Sequence, residues 1–171
     1  MKQKGEGMGF DAMTLYRAAR KARQLGLRLV PALLRKATFY LHHSVIPPEV
    51  EIGEGTTLGY GGLGVVIHED ARIGRHCLIS QQVTIGGRSG RPGVPIIGDY
   101  VRIGAGAKIL GKVRIEDFAV IGANAVVTRD VRRGAVVAGV PARELRCDPE
   151  PMASYLREHT THQLGGGAAA S

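Results

Sequence analysis

The sequence predicts a mainly β fold, a parallel β-helix wound from hexapeptide repeats and preceded by a short α-helical segment. Three observations predict it. Thirteen aliphatics fall six residues apart in three runs: Ile46, Ile52 and Leu58; Ile67, Ile73, Ile79 and Ile85; Ile97, Ile103, Ile109, Ile115, Ile121 and Val127. The residue two before is small or β-branched (Val50, Thr56, Val65, Ala71, Cys77, Val83, Val101, Ala107, Val113, Ala119, Ala125), and the residue after is usually Gly. Aromatics make up only 5% of the chain and Trp is absent. Six is a multiple of the strand period of two and drifts against the 3.6-residue helix, so the repeat reads as stacked short strands. Three hexapeptides close a triangular coil whose aliphatics stack from coil to coil. So narrow an interior has no room for rings.

The first element, residues 1–43, is a basic helical segment. It carries nine Lys/Arg against Glu6 and Asp11, so it holds +7 of the chain's net +8. Residues 12–41 read as helix from the spacing of Leu15, Ala18, Ala19, Ala22, Leu25, Leu29, Leu33 and Leu34, with Gly26 and Pro31 expected to break the run. Such a helix either caps the β domain with its basic face in water or lies on an anionic membrane surface. Nucleic acid is the weakest option and no such partner is expected, because no groove-reading motif follows and interleaved aromatics are missing. No stretch reaches the ~18 uncharged apolar residues of a membrane span. Residues 1–10 are polar and Gly-rich, unlike a secretory signal. The expected compartment is the cytoplasm, with the basic helix able to bring the chain to the inner face of the membrane.

The second element, residues 44–146, is the repeat domain. Its beat is interrupted twice: nine residues separate Leu58 from Ile67, and twelve separate Ile85 from Ile97. The second gap carries Arg88, Ser89, Gly90, Arg91, Pro92 and Gly93, so residues 87–95 are expected to protrude as a loop on the binding side. If both excursions leave the coil unchanged, Ile46, Ile67, Ile85, Ile109 and Val127 stack in one column. The next column is then Pro47, His68, Gly86, Leu110 and Thr128, and His68 fills a slot that is often Gly. Cys77 occupies a small-residue slot and reads as core filler; two cysteines make neither a disulfide framework nor a four-ligand zinc site. Arg133 falls where the next aliphatic is due, so the β-helix should stop there and residues 134–143 should close it as a loop. The third element, residues 147–171, reads as a partly disordered tail ending in a Gly/Ala run at 165–170.

Residues 83–87 (VTIGG), 103–111 (IGAGAKILG), 120–127 (VIGANAVV) and 136–143 (VVAGVPAR) make the chain resemble the serine acetyltransferase branch of the hexapeptide-repeat acyltransferases. The resemblance spans residues 52–143 and implies a left-handed coil, a homotrimer and acetyl-CoA as donor. It breaks at the family's catalytic positions. Val45 stands where those enzymes have an Asp, Tyr60 falls nearest their main His, and Gly93 or Val94 takes the place of their second His. The scaffold and donor site therefore look retained and the acceptor site rebuilt. That is similar to the shorter members that acetylate sugars of surface polysaccharides; serine is the alternative acceptor.

Acetyl transfer to a hydroxyl needs a base and an oxyanion donor, and an imidazole suits the base role near neutrality. His68 is the first candidate; His42, His43 and His76 are the others within or beside the repeat, and His159 and His162 fall in the tail. Glu54, Glu69 or Asp70 could orient the base, although neighbours on a strand point to opposite faces. Tyr60 could position the acceptor through its phenol. The resemblance implies that Gly104-Ala105 and Gly122-Ala123 let a pantetheine arm lie against the backbone. Lys108, Arg129, Arg132 and Arg133 are candidate partners for the CoA phosphates. No metal is expected: a zinc hydrase on this scaffold needs three converging His, and the repeat offers His68 and His76. A non-catalytic trimeric scaffold is the remaining class.

Overall fold

The computed structural model describes residues 11–164. The polar stretch 1–10 and the Gly/Ala run 165–170 lie outside them. Helix α1 (Ala12–Gln24) starts at Asp11, whose carboxylate accepts from the Thr14 amide at 2.7 Å. It ends at Leu25, and Gly26 follows with φ +76°. Ala12, Met13 and Tyr16 join the β core, and the Tyr16 hydroxyl donates to the Val50 carbonyl at 2.6 Å. The helix thus covers the starting end of the column. Helix α2 (Leu29–His42) begins before Pro31, so that proline sits in its first turn. It breaks nothing there, because a first-turn N–H has no helical partner anyway. The expected apolar face is also corrected: Ala18, Leu25, Leu29 and Leu33 face solvent, while Pro31 and Thr38 make the buried side of α2.

The column follows. Its strands are β1 (Glu51–Ile52), β2 (Thr57–Leu58), β3 (Val66–Ile67), β4 (Arg72–Ile73), β5 (Leu78–Ile79), β6 (Thr84–Gly86) and β7 (Ile96–Ile97). Then come β8 (Arg102–Ile103), β9 (Lys108–Leu110), β10 (Arg114–Ile115), β11 (Val120–Ile121), β12 (Val126–Val127), β13 (Ala135–Ala138) and β14 (Arg143–Cys147). They form three walls. Wall A is β3-β6-β9-β12, wall B is β1-β4-β7-β10, and wall C is β2-β5-β8-β11-β13-β14. All pairings are parallel except β13 with β14. In wall A, Ile67, Ile85, Ile109 and Val127 pair in line, and Val45 bridges Val66 below them, so Ile46 starts the predicted column. Both excursions leave the coil intact.

The beat is the core. Ile67, Ile79, Ile85, Ile103, Ile109, Ile115 and Ile121 are each at most 1% exposed, and the small-residue slots from Val50 to Ala125 are all buried. Burial of each such Ile contributes roughly 1.5–3 kcal/mol. The polar member Thr56 is satisfied: its hydroxyl donates to the Gly74 carbonyl at 2.8 Å and accepts from the Cys77 amide at 3.0 Å. Cys77 is buried, and burial pushes its thiol up to about 11, in keeping with a filler role.

Two expectations about the far end are corrected. The coil does not stop at Arg133. The turn after Val127 is two residues short, so Val131 pairs beside Ile115 and Val137 beside Ile121, and both valines are buried. Residues 134–143 are not a plain closing loop either: β13 prolongs wall C, and β14 runs back along its edge. Beyond it, within the tail expected at 147–171 to be partly disordered, residues 151–164 form helix α3 (Pro151–Leu164). Tyr155 explains the order. Its ring packs edge-on against Tyr100 at 4.9 Å, and Tyr100 is itself stacked between His76 at 5.0 Å and Phe118 at 4.9 Å.

Candidate active site

Each coil turns at three corners, and the corner decides which residues can meet. Corner AB, between walls A and B, holds residues 47–50, 68–71, 86–95, 111–113 and 128–130. Corner BC holds 53–56, 74–77, 98–101, 116–119 and 132–134. Corner CA holds 59–65, 80–83, 104–107 and 122–125.

His68 begins a turn on corner AB. Its amide donates to the Ile85 carbonyl at 2.8 Å, and its carbonyl accepts from the Ala71 amide at 3.0 Å. Because 68–71 is a turn and not a strand, Asp70 comes round to the side of the imidazole. The Asp70 amide donates to His68 Nδ1 at 3.2 Å, and its carboxylate Oδ2 lies 3.8 Å from the same nitrogen. The His68 side chain is 41% exposed, so an acceptor can reach it. The sequence left Glu54, Glu69 and Asp70 open as partners of His68; an Asp at the third position of a turn is the signal that could have pointed to Asp70.

Tyr60 lies on corner CA, in the four-residue 3-10 turn Gly59–Gly62, with φ +51° and its ring 62% exposed. Glu54 lies on corner BC, where its carbonyl accepts from the His76 amide at 2.9 Å. His68 and Tyr60 thus flank wall A from opposite edges, and Glu54 sits at the corner facing away from that wall. One prism does not bring the three together.

The other histidines separate. His76 has φ +53° and stacks on Tyr100, a structural post of corner BC. His43 closes α2 in the left-handed region. His42 is different. The end of α2 is tied to corner CA by Ser44, whose hydroxyl donates to the His42 carbonyl at 2.9 Å and the Gly62 carbonyl at 2.5 Å, and by the Gly64 amide at 3.0 Å from the His42 carbonyl. Its Nδ1 would be 3.8 Å from a Cβ on Gly61, so this imidazole stands beside the Tyr60 turn. The side chains of His159 and His162 lie outside those described.

The donor candidates divide as well. Gly104, Ala105, Gly122 and Ala123 share corner CA, and Lys108 opens β9 directly beside it. A Cβ on Gly104 would come within 2.6 Å of the Ala123 amide, and one on Gly122 within 2.8 Å of Ala138 Cβ, so only glycine permits this spacing of coils. Lys108 Nζ donates to the carbonyls of Gln82 at 2.7 Å and Gly106 at 3.0 Å, which places its charge on that corner. Arg129 is exposed on corner AB. Arg132 and Arg133 are on corner BC: Arg132 pairs with both Glu144 oxygens, at 2.9 and 2.5 Å, and Arg133 lies over the Phe118 ring at 5.3 Å. Arg132 holds the Glu144 carboxyl below its usual range through that hydrogen-bonded pair. Among the described residues, no group of three or more His, Cys, Asp or Glu is arranged to hold a metal ion, and no helix is long and apolar enough to cross a membrane.

Parallel hexapeptide coils with a Gly/Ala corner define a class, the bacterial hexapeptide-repeat transferases, whose six-repeat pattern matches residues 95–129. Within that class the chain belongs to the serine acetyltransferase family. It is 34% identical over 142 residues to serine acetyltransferase of Helicobacter pylori, covering 82% of each chain. It is 38% identical to that of Synechococcus elongatus, covering 82% of this chain and 60% of the relative. For the Mycobacterium tuberculosis enzyme the identity is 40%, over 84% of this chain and 63% of the relative. The chain thus spans about 60% of the length of several curated relatives. A serine acetyltransferase solved with CoA superposes with a TM-score of 0.70 at 34% identity, over 78% of this chain and 55% of that one. The Neisseria gonorrhoeae enzyme gives 0.74 at 34%, over 84% and 57%.

Proposed function

We propose that the chain transfers an acetyl group from acetyl-CoA to the hydroxyl of a small acceptor, as a homotrimer with sites between neighbouring prisms. The observation that carries this reading is the likeness, at 34% identity, to a serine acetyltransferase solved with CoA. His68 supplies the base. Its imidazole takes the hydroxyl proton as the acceptor oxygen adds to the thioester carbonyl. The tetrahedral oxyanion then collapses, the carbon–sulfur bond breaks, and the leaving thiolate recovers the proton, giving an acetyl ester and free CoA. His68 and Tyr60 flank opposite edges of wall A. A site between prisms would combine the His68 edge of one with the Tyr60 and Gly104 edge of the next.

Two acceptors follow from different observations. Serine is favoured by the curated relatives, ahead of the sugar that the sequence analysis placed first. A sugar hydroxyl, on a surface polysaccharide or its precursor, is favoured by the chain's own residues: Val45, Tyr60 and Gly93 or Val94 stand where the family resemblance expects an Asp and two His. Contact with an anionic membrane belongs to this second reading. Residues 12–43 contain seven Lys/Arg and no Asp or Glu, and Leu29, Leu33 and Tyr40 are exposed on α2.

The test is CoA release from acetyl-CoA with serine, homoserine and nucleotide-linked sugars offered in turn. Release with one acceptor class, undiminished by dialysis against a chelator, is expected. No release with any of them, together with no rise in melting temperature on adding CoA, overturns the reading.

A further inference from the structure

We propose that the cleft between the helical hairpin and the first coil binds a diphosphate group of the acceptor. This rests on the acetyl-transfer reading and deepens it by favouring the sugar over serine, which carries no such group. The cleft encloses about 390 Å³ and is lined by Arg23, Arg28 and Arg35, over a floor that includes Pro31, Ala32 and Pro48. That size fits a nucleotide or a sugar diphosphate. Glu49 is the acid that lines it, and Arg23 already meets it at 3.3 Å. Arg17 and Arg20 turn away from the cleft, to the carbonyls of Thr56 and Val50. Arg28 and Arg35 make no ion pair or hydrogen bond among the described residues, and no carboxylate lies anywhere in residues 12–43 to balance them. These two guanidinium forks, both carried by α2 and its cap and unpaired among the described residues, are matched to phosphate oxygens, which they can grip bidentately.

Position adds the second argument. Pro48 and Glu49 belong to corner AB of the first coil, and the register of Val45 on Val66 puts residues 47–49 directly beneath His68, Glu69 and Asp70. Successive coils are about 4.8 Å apart. A ligand held by its phosphates in the cleft therefore runs along one corner to the imidazole, within the length of a hexose.

The probe is inorganic pyrophosphate, titrated by calorimetry into the full chain saturated with CoA, so that the donor site is already filled. Wild type is expected to bind it, and the R28Q/R35Q pair at least tenfold more weakly, with CoA affinity unchanged as the control for folding. Equal affinity in the pair, or no binding by wild type, overturns the proposal. A UDP-linked hexose and a polyprenyl-diphosphate-linked hexose in mixed micelles then compete with pyrophosphate. Displacement by one of them identifies the source of the diphosphate, and displacement by neither overturns the acceptor assignment. Acetyl transfer to serine or a free hexose without any pyrophosphate binding sinks the cleft and spares the transferase reading. Pyrophosphate binding that the pair loses, in a chain that turns over acetyl-CoA with no acceptor, supports the cleft and removes the transferase reading.

Discussion

The Asp70 amide and the Asp70 carboxylate both address one atom, His68 Nδ1, at 3.2 and 3.8 Å. The two contacts want opposite ring tautomers. An amide that donates to Nδ1 leaves the ring proton on Nε2, whereas a carboxylate that accepts from Nδ1–H leaves Nε2 bare and able to take a proton.

The first prediction follows from that pair. His68→Ala should lower kcat by about a hundredfold or more, the usual weight of a general base. Asp70→Asn keeps the turn and removes the charge that favours the basic tautomer, so kcat should fall roughly three- to tenfold with KM for acetyl-CoA unchanged. The assay is thiol release over a range of acetyl-CoA concentrations. If His68→Ala keeps near wild-type turnover and His42→Ala loses it, the base belongs to corner CA instead.

Corner CA yields the second prediction. Gly104→Ala places a methyl 2.6 Å from the Ala123 amide, whereas Gly86→Ala meets nothing within 4 Å. The first should destabilise by about 1–3 kcal/mol and weaken CoA binding; the second should change the melting temperature by little. Thermal melts with and without CoA separate them. Equal behaviour of the two variants would contradict the close packing of coils at this corner.

Cys77 gives the third. Its folded thiol is raised to about 11 from an ordinary 9.0, chiefly by burial. The folded state therefore holds the proton more tightly than the unfolded chain does. The contribution is fully present below pH 9 and is lost as pH rises from about 9 through 11, an amount on the order of 2–3 kcal/mol. Denaturant melts at pH 8 and 10.5 should show a steeper loss in wild type than in Cys77→Ala. A thiol reagent at pH 8 should modify Cys147 in the native protein and reach Cys77 only after unfolding.

The fourth concerns the aromatic post. Tyr100 stacks on His76 and Phe118, receives Tyr155 from α3, and holds φ +58°. Tyr100→Ala loses the ring and keeps the backbone cost; Tyr100→Gly loses the ring and relieves it, by roughly 1 kcal/mol. Both should melt lower than wild type, with Tyr100→Gly a few degrees above Tyr100→Ala. Amide exchange in α3 should quicken in both, and unchanged protection there would separate α3 from the post.

The interior of the column was legible because burial acts on every coil alike, and one six-residue beat names each inward side chain from Ile46 to Val127. What escaped lies where the beat does not reach. The two-residue deletion after Val127 moved the inward position from Arg133 to Val131, and no local property of Thr128, Arg129 or Asp130 announces it. Aromatic poverty was read correctly for the interior, but the corner rings His76, Tyr100 and Phe118 come from three coils, so their stacking depends on turn lengths between them. The candidate site was legible to the same extent. His68 could be placed in its column from the register, yet its partner Asp70 needed the local turn, and Glu54 belonged to another corner.

The closing hairpin has a consequence for how copies can meet. Val126 donates to the Gly139 carbonyl at 3.0 Å and accepts from the Ala142 amide at 2.8 Å, while β14 runs antiparallel along β13. With α1 laid across the opposite end, other elements of the chain pack over both ends of the column among the described residues. Such covers work against head-to-tail growth, the standing hazard of an open-ended coil, and favour association through the flanks.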